Sequence, residues 1–317
     1  MKKRLLITAA ILTSFGLAIV IGALIISNFD VSRMDITKYE TNTYNVSEDF
    51  EKININTNET DIILIPSEDN GCKVICMEQK KVKHLVSVEN GTLNISEMDT
   101  RKWYDHITMF SKAISVKVYL PSDKLDSLII DSDTGDVSVP ASFTFGSVGI
   151  KASTGDILFE ASVDDQLTIQ TTTGDITLSG VNARQLDLSV STGDILIQSL
   201  VCHETASIKV NTGETRISDM TCRNFLTTGN TGDITLKNTV ASDSFSISRG
   251  TGDVNFDNSD AGQILVQTST GDVSGTLRTE KIFISRTSTG SIHVPDTVTG
   301  GKCQITTSTG DINIRLK

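Results

Sequence analysis

The sequence is poor in aromatic residues, in proline and in positive charge. Aromatic residues make up 5% of the chain, with one tryptophan, which is sparse for a carbohydrate site built on stacked rings. The 28 basic residues are outnumbered by 39 acidic ones, for a formal charge of -11. This balance excludes nucleic acid as a partner, because affinity for phosphate chains comes from clustered Lys and Arg. Only four prolines among many Ser, Thr, Asp and Gly predict strands joined by tight polar turns.

Cysteine is also scarce, and its spacing is irregular. The five cysteines are Cys72, Cys76, Cys202, Cys222 and Cys303. An odd number without regular spacing does not form a disulfide framework, and no pair has the CxxC spacing of a zinc or redox site. We therefore predict that they are small apolar core residues.

Long apolar runs are absent except at the N-terminus. Residues 1–4 are a basic stub, and residues 5–26 carry no charge. As a helix, residues 5–26 would span about 33 Å, enough for a hydrocarbon core of about 30 Å. The alternative is a cleaved signal peptide, but its apolar region is normally shorter and ends in a small-residue site. The positive-inside rule then predicts a single-pass cell-membrane protein with a cytoplasmic N-terminus, a lipid-bilayer contact through residues 5–26, a linker over residues 27–44 and everything beyond it outside the cytoplasm.

A tripeptide repeat dominates the rest of the chain. Thr-Gly-Asp or a close variant recurs ten times at intervals of 19 or 20 residues. Its glycines are Gly135, Gly155, Gly174, Gly193, Gly213, Gly232, Gly252, Gly271, Gly290 and Gly310. This period is too short for a propeller blade or a helical repeat. It predicts an all-β solenoid of about ten coils over residues 134–317.

Each coil shows the same alternation of apolar residues. In one example, Leu167 and Ile169 precede Gly174, and Ile176 and Leu178 follow it. Period-two alternation predicts two short strands per coil with one side facing inward. The glycine is predicted to lie at the corner between them, where a positive φ excludes most side chains.

The repeat has lapses. Ile282 and Ile284 lie one residue out of phase, which predicts a bulge nearby. Cys202 and Cys222 each follow their glycine by nine residues, so we expect them to stack on adjacent coils, either as two thiols or as a disulfide.

Residues 45–133 lack the glycine repeat but retain alternation, and they predict divergent β coils with an N-terminal cap. The segment from Asp99 to Lys112 breaks the pattern and contains Trp103, Tyr104, His106 and Phe110. It is either a lid over the open end of the solenoid or an exposed binding loop. The sequence favours the lid, since an exposed coil end needs covering.

The Ser/Thr-Thr-Gly-Asp-Ile/Val repeats, with Val118-Tyr119-Leu120-Pro121 leading into them, resemble those of the bacterial putative-adhesin family. Members of that family are β-strand-repeat domains of unknown function, and many carry a membrane anchor. The resemblance covers most of residues 45–317 and implies adhesion. Some relatives are associated with envelope-stress operons, which implies an alternative role as accessory protein of a membrane complex. The repeat carries no catalytic residues that could be transferred to this chain.

The acid after each glycine is the most conspicuous chemical feature. On a regular solenoid the acids form one row: Asp136, Asp156, Asp175, Asp194, Glu214, Asp233, Asp253, Asp272 and Asp311. Carboxylates about 4.8 Å apart repel by about 1 kcal/mol in water, so something must offset that repulsion. One hypothesis is calcium, whose coordination is rich in oxygen. The other is that each Asp accepts backbone N–H bonds in its own turn, and the sequence favours this one.

Threonine precedes all ten glycines, and four coils carry a second threonine two residues earlier: Thr171, Thr268, Thr287 and Thr307. A flat Thr-x-Thr array would suit ice binding. The earlier threonine is predicted to face the core, which leaves a single exposed row and disfavours that function.

Catalysis finds little support in the sequence. Coils of 19–20 residues leave no room for the long loops that wall an active-site cleft, and His84, His106, His203 and His293 are scattered without metal-ligand or triad spacing. The sequence therefore favours a non-catalytic adhesion or envelope-scaffold module, which binds a cell-wall polymer or a membrane protein, over a polysaccharide-processing enzyme. No cofactor is predicted beyond the calcium hypothesis.

Overall fold

A computed structural model describes residues 2–26, 39–102, 114–121 and 125–317. It contains one helix, α1 (Lys2–Ile26), and a continuous β structure. The strands, in chain order, are β1 (Tyr39–Val46), β2 (Lys52–Pro66), β3 (Cys72–Gln79), β4 (Val82–Glu89), β5 (Thr92–Asp99), β6 (Ile114–Leu120), β7 (Leu125–Thr134), β8 (Val137–Val139), β9 (Thr144–Thr154), β10 (Ile157–Phe159), β11 (Ser162–Thr173), β12 (Ile176–Ser179), β13 (Asn182–Thr192), β14 (Ile195–Cys202), β15 (Thr205–Thr212), β16 (Thr215–Thr231), β17 (Ile234–Lys237), β18 (Val240–Thr251), β19 (Val254–Thr270), β20 (Val273–Leu277), β21 (Lys281–Thr289), β22 (Ile292–His293), β23 (Gly301–Thr309) and β24 (Ile312–Leu316). The predicted all-β solenoid is confirmed.

The N-terminal segments differ from their predictions. In the described part of the chain, no helix is both long enough and apolar enough to cross a membrane. The transmembrane helix predicted over residues 5–26 is therefore not confirmed. Of the predicted linker, residues 27–38 lie outside the described residues, and residues 39–44 belong to β1, which pairs antiparallel with β3.

The coils stack through parallel ladders in the predicted phase. Leu167 and Ile169 pair with Leu186 and Leu188 of the next coil, and all four side chains are buried. Because successive side chains of a strand point to opposite faces, one set of side chains fills the interior and the other faces solvent. Burial of the apolar set between successive coils stabilises the stack.

Each coil has three sides rather than the predicted two. A third short parallel ladder joins Ala183 to Cys202 and Leu200 to Met220. A register shift between Val163 and Gln166 separates this side from the next strand. The third side is only two or three residues long, so it leaves little alternation in the sequence to detect.

The last coils are not stacked in chain order. Strand β23 lies between β19 and β21, and β24 lies between β20 and β22. The coil around Gly310 is therefore inserted between the coils around Gly271 and Gly290. The C-terminal strands are interior in the stack, and the coil around Gly290 is the last layer.

The N-terminal end shows a similar inversion. Strand β2 pairs in parallel with β5 and β6 on one side and with β7 and β8 on the other. The coil formed by β5 and β6 therefore precedes β2 in space although it follows it in the chain. Antiparallel strands β1, β3 and β4 pack beside this coil, where the sequence predicted divergent coils and a cap. The predicted lid residues 103–112 lie outside the described residues.

The out-of-phase isoleucines do not produce the predicted bulge. Ile282 and Ile284 face solvent, 45% and 40% exposed, and β21 pairs with β23 without a register shift. The reason is that β21 keeps its regular alternation and turns Lys281 and Phe283 inward instead. This coil is the last layer, so it packs against a neighbouring coil on one side only. Its inward positions therefore need not all be apolar.

The five cysteines are free thiols, and four of them are buried. Burial raises the pKa of Cys222 to about 12 and that of Cys303 to about 12. Thiols with such values stay protonated and unreactive near neutral pH, so the predicted packing role of these two cysteines is supported.

Candidate functional site

The corner glycines bring neighbouring coils into close backbone contact. All ten have a φ between 125° and 146°. A Cβ on Gly174 would lie 2.1 Å from the carbonyl oxygen of Gly155, and a Cβ on Gly213 would lie 1.9 Å from that of Gly193. Glycine is therefore required both for its conformation and for the space it leaves.

The acids after these glycines form a ladder of hydrogen bonds that runs between coils. Oδ1 of Asp156 accepts a hydrogen bond from the backbone N–H of Asp175 at 2.9 Å. Oδ1 of Asp175 in turn accepts from the N–H of Asp194 at 2.7 Å. The same bond recurs along the stack. The predicted N–H acceptor role is found, but the donor lies in the next coil rather than in the same turn.

The ladder extends beyond the acids predicted from the sequence. Asp61 accepts from the N–H of Asp136 at 3.0 Å, so Thr60-Asp61 on β2 is a further corner in which threonine replaces glycine. At the other end, Asp311 accepts from the N–H and the hydroxyl of Ser291. These bonds hold the pKa of Asp311 below its ordinary value. The stability that Asp311 contributes is therefore present above about pH 4 and is lost as the pH falls through the depressed pKa of the folded state.

One rung of the ladder is missing. Glu214 replaces aspartate and pairs with Arg216, two residues further along the chain. In the described part of the chain, no carboxylate oxygen accepts the N–H of Asp233. The additional methylene carries the carboxylate past the corner, so the hydrogen-bonded row is divided at this coil.

Restoring this rung is expected to stabilise the protein. Glu214→Asp should raise the free energy of unfolding by about 0.5–1.5 kcal/mol, the usual net value of one hydrogen bond. Urea denaturation of the variant and of the unmodified chain measures this change in the free energy of unfolding. The matched control is Asp175→Glu, which introduces the same interruption in another coil and should lower the free energy of unfolding by a similar amount. A change of the same sign in both variants would contradict the role assigned to the ladder.

The calcium hypothesis concerns the same carboxylates. The ladder uses Oδ1 of each aspartate, and the N–H donors offset the repulsion along the row. Calcium prefers six to eight oxygen ligands, and the ladder leaves each aspartate its second oxygen. Calcium binding along Asp136, Asp156, Asp175, Asp194, Asp233, Asp253, Asp272 and Asp311 stays a prediction, which a rise in melting temperature with calcium after chelator treatment would support.

A row of threonines runs beside the acids. Its members all precede a corner glycine and are exposed: Thr134, Thr154, Thr173, Thr192, Thr212, Thr231, Thr251, Thr270, Thr289 and Thr309. They lie in register in successive coils, as Thr173 with Thr192 and Thr270 with Thr309. We call the two adjoining rows of threonines and acids the Thr-Gly-Asp edge. The second threonines face inward as predicted, and Thr171 and Thr307 donate to corner carbonyl groups.

Among the residues that the structure describes, one arginine enters the solenoid core. Arg249 is buried and donates to the carbonyl oxygen of Val210 at 2.6 Å and to Oγ1 of Thr215 at 3.0 Å. Gly229 provides the space, since a Cβ there would meet the guanidinium at 1.7 Å. Burial lowers the pKa of Arg249. The sequence pattern did not identify this residue, although Gly229 and Thr215 both replace larger core residues.

A cleft of about 650 Å3 lies where the inserted coil joins its neighbours. Its wall contains a buried ion pair, in which Nζ of Lys281 lies 2.6 Å from Oδ1 of Asp260. Thr279 donates to the other oxygen of Asp260 at 2.7 Å. The two charges neutralise each other and are hydrogen-bonded, so removal of either partner would leave the other charge buried and unpaired.

Three of the four histidines lie among the described residues, and one of them, His293, lies close enough to Asp311 of the Thr-Gly-Asp edge for an electrostatic interaction. His203 and His293 are exposed, and His84 is buried. His106 lies outside the described residues. His84 nonetheless meets Cys76 and Glu78 near the N-terminal end of the stack, a grouping that the sequence reasoning missed because no metal-ligand spacing was recognised.

Comparisons with known proteins agree with this architecture. A family model described as Toastrack DUF4097 matches residues 50–218 and 203–317. A putative adhesin from Parabacteroides distasonis has 14% identity and a TM-score of 0.51, over 88% of this chain and 98% of that one. A putative lipid binding protein from the same species has 16% identity and a TM-score of 0.49, over 88% and 97%. A putative adhesin from Bacteroides fragilis has 17% identity and a TM-score of 0.42, over 88% and 97%. No curated protein matches the sequence.

Proposed function

The chain belongs to the Toastrack DUF4097 family, and from that premise we propose that it is a non-catalytic adhesion or scaffold module. In this proposal, the Thr-Gly-Asp edge binds a surface polymer outside the cytoplasm. The names of its structural relatives, putative adhesins among them, are consistent with such a role.

The observation that carries the proposal is the regularity of the edge. Exposed hydroxyl and carboxylate groups recur once per coil along the stack, at the spacing of adjacent strands, about 4.8 Å. A repeating surface of this kind suits a ligand that itself repeats, because successive units can make the same contacts. The net charge of -11 favours a neutral or cationic polymer over an anionic one. Hydroxyl and carboxylate groups are suitable partners for the hydroxyls of a polysaccharide.

Co-sedimentation with isolated cell walls tests the proposal. The purified chain should be retained in a saturable manner, and calcium dependence would assign the acids to the contact. The variant Thr173→Val/Thr192→Val/Thr212→Val removes three hydroxyl groups from the edge and keeps their branched shape. It should reduce retention several-fold.

The matched control is Thr168→Val/Thr228→Val/Thr306→Val, which removes three hydroxyl groups from outward positions on the strand that precedes each corner. Retention should stay at the level of the unmodified chain. Equal loss in both variants would contradict binding through the edge, and no retention with or without calcium would contradict wall adhesion altogether.

The predicted bilayer contact through residues 5–26 and the role as accessory protein of an envelope-stress complex stay predictions. Co-purification of a membrane protein from detergent extracts, dependent on residues 5–44, would support the accessory role. Protease digestion of intact cells would test whether the solenoid lies outside the cytoplasm.

A further inference from the structure

Three side chains with metal-binding atoms converge near the N-terminal end of the stack. Cys76 and Glu78 lie two residues apart on β3 and face the same side. His84 lies on β4, which follows β3 through a tight turn with Gln79 paired to Val82. All three are buried, with 1% exposure or less. One potential ligand atom of each, from the thiol, the carboxylate and the imidazole, lies within 4.8 Å of the others.

The distances between these atoms suit a small metal ion. Nδ1 of His84 lies 3.2 Å from Oε1 of Glu78. Zinc binds nitrogen and oxygen at about 2.0–2.2 Å and sulfur at about 2.3 Å in tetrahedral geometry, which places its ligand atoms roughly 3.3–3.6 Å apart. The histidine and the glutamate already have this separation, and Cys76 needs a shift on the order of 1 Å or less.

The hydrogen bonds around His84 are compatible with a cation between its ring and Glu78. Thr60 donates its hydroxyl hydrogen to Oε2 of Glu97 at 3.0 Å. Its oxygen lies 3.4 Å from Nε2 of His84 and can accept a hydrogen from that nitrogen. In the neutral tautomer that donates from Nε2, Nδ1 carries a lone pair directed at a carboxylate oxygen. Two acceptors 3.2 Å apart repel unless a proton or a metal ion lies between them.

The neighbours of Glu78 hold its carboxylate in place. Oε1 accepts from the backbone N–H of His84 at 2.9 Å, and Oε2 accepts from Nδ2 of Asn42 at 2.9 Å. Nζ of Lys83 lies 3.4 Å from the same Oε2. Metal ligands in proteins are usually oriented by such a surrounding layer of hydrogen bonds, including a partner for the second nitrogen of a ligating histidine.

We propose that Cys76, Glu78 and His84 bind one Zn2+ ion that fastens the β3–β4 hairpin at the N-terminal end of the solenoid. A thiolate, an imidazole and a carboxylate form a ligand set that zinc accepts and that calcium and magnesium do not prefer. In this proposal, a water molecule supplies the fourth tetrahedral ligand. The competing account places a hydrogen on Nδ1, so that the imidazole donates a hydrogen bond to Glu78 and Cys76 only packs.

Metal binding by the purified full-length chain distinguishes these accounts. After treatment with a chelator and dialysis against Zn2+, the chain should retain about one equivalent of zinc and should melt at a higher temperature. Loading with Co2+ should produce a thiolate-to-metal charge-transfer absorption band, which requires a cysteine ligand. Cys76→Ser and His84→Gln should each weaken zinc binding by about 10-fold or more, by analogy with the cost of perturbing metal sites.

The matched control is Cys202→Ser, which alters another buried free cysteine and should leave zinc content and the cobalt band unchanged. Circular dichroism verifies that each variant is folded. If Cys76→Ser does not fold, loss of the cobalt band in folded His84→Gln takes its place as the test, because a hydrogen-bonded imidazole–carboxylate pair without a metal produces no such band. Absence of retained zinc and of the band, or their persistence in folded Cys76→Ser, overturns the proposal.

Discussion

A chain that ends at residue 300 is expected to lose two coils although it lacks the residues of only one. Residues 301–317 form β23 and β24, which lie between the coil around Gly271 and the coil around Gly290. In the described part of the chain, β21 pairs with β23 and β22 pairs with β24. Without these partners, the last layer has no parallel neighbour.

The energy of this loss is large because stability in a solenoid comes from contacts between adjacent coils. Residues 301–317 supply four buried apolar side chains: Cys303, Ile305, Ile312 and Ile314. Each buried aliphatic side chain contributes about 1.5–3 kcal/mol relative to exposure. Amide protection over β21 and β22 should therefore fall by about 100-fold or more in hydrogen exchange.

A chain that ends at residue 278 is the matched comparison. It lacks both coils and ends immediately after β20, so it contains no unsupported layer. The two truncated chains should have the same free energy of unfolding in urea, and residues 279–300 should be cleaved rapidly by protease in the longer one. Retained protection of those residues would mean that β21 can pair directly with β19, which would contradict the inserted order as a requirement for stability.

The order of the last coils could not have been predicted from the sequence. Every coil carries the same glycine corner and a similar set of inward apolar residues. The sequence pattern therefore does not favour one neighbouring coil over another. The sequence alone would lead one to expect the coils to stack in chain order. The observed order depends on pairing between strands that are distant in the chain. The segment between β22 and β23, which contains Pro295 and no strand, is where the chain returns past a layer, but its composition is that of an ordinary loop.

The corner, in contrast, was largely predictable because its determinants are local. A period of 19–20 residues, alternation on either side and a glycine that recurs in every coil predict the coil, its inward residues and the position of positive φ. The partner of each aspartate was predicted wrongly, since a side chain at a corner can reach either its own turn or the adjacent coil. The sequence does not show which of these two N–H donors lies closer to the carboxylate.

The buried arginine illustrates a different limit. Arg249, Gly229 and Thr215 lie in three different coils, and each by itself departs from the pattern of its coil. Together they form one feature, because the guanidinium crosses the space above Gly229 to reach Thr215. The cluster of Cys76, Glu78 and His84 was missed for a similar reason. Its members become neighbours only when β3 and β4 form a hairpin.

The substitution Gly174→Ala is expected to destabilise the protein by about 3–5 kcal/mol, the range of the most disruptive single changes. Gly174 has a φ of 131°, a conformation that costs a residue with a side chain on the order of 1–3 kcal/mol. A Cβ would also lie 2.1 Å from the carbonyl oxygen and 2.6 Å from the carbonyl carbon of Gly155. Relief requires separation of two coils in the middle of the stack, where the strands on both sides of the corner lose their pairing.

Gly149→Ala is the matched control, because Gly149 lies on a neighbouring coil, has no positive φ and has no atom within 4 Å of the position that a Cβ would occupy. Its alanine variant should change the free energy of unfolding by less than about 1 kcal/mol, with a small gain from reduced freedom of the unfolded chain. Urea denaturation of both variants measures the difference. Similar values for the two would show that coil spacing adjusts at the corner, and that the glycines are present for a reason other than close contact between coils.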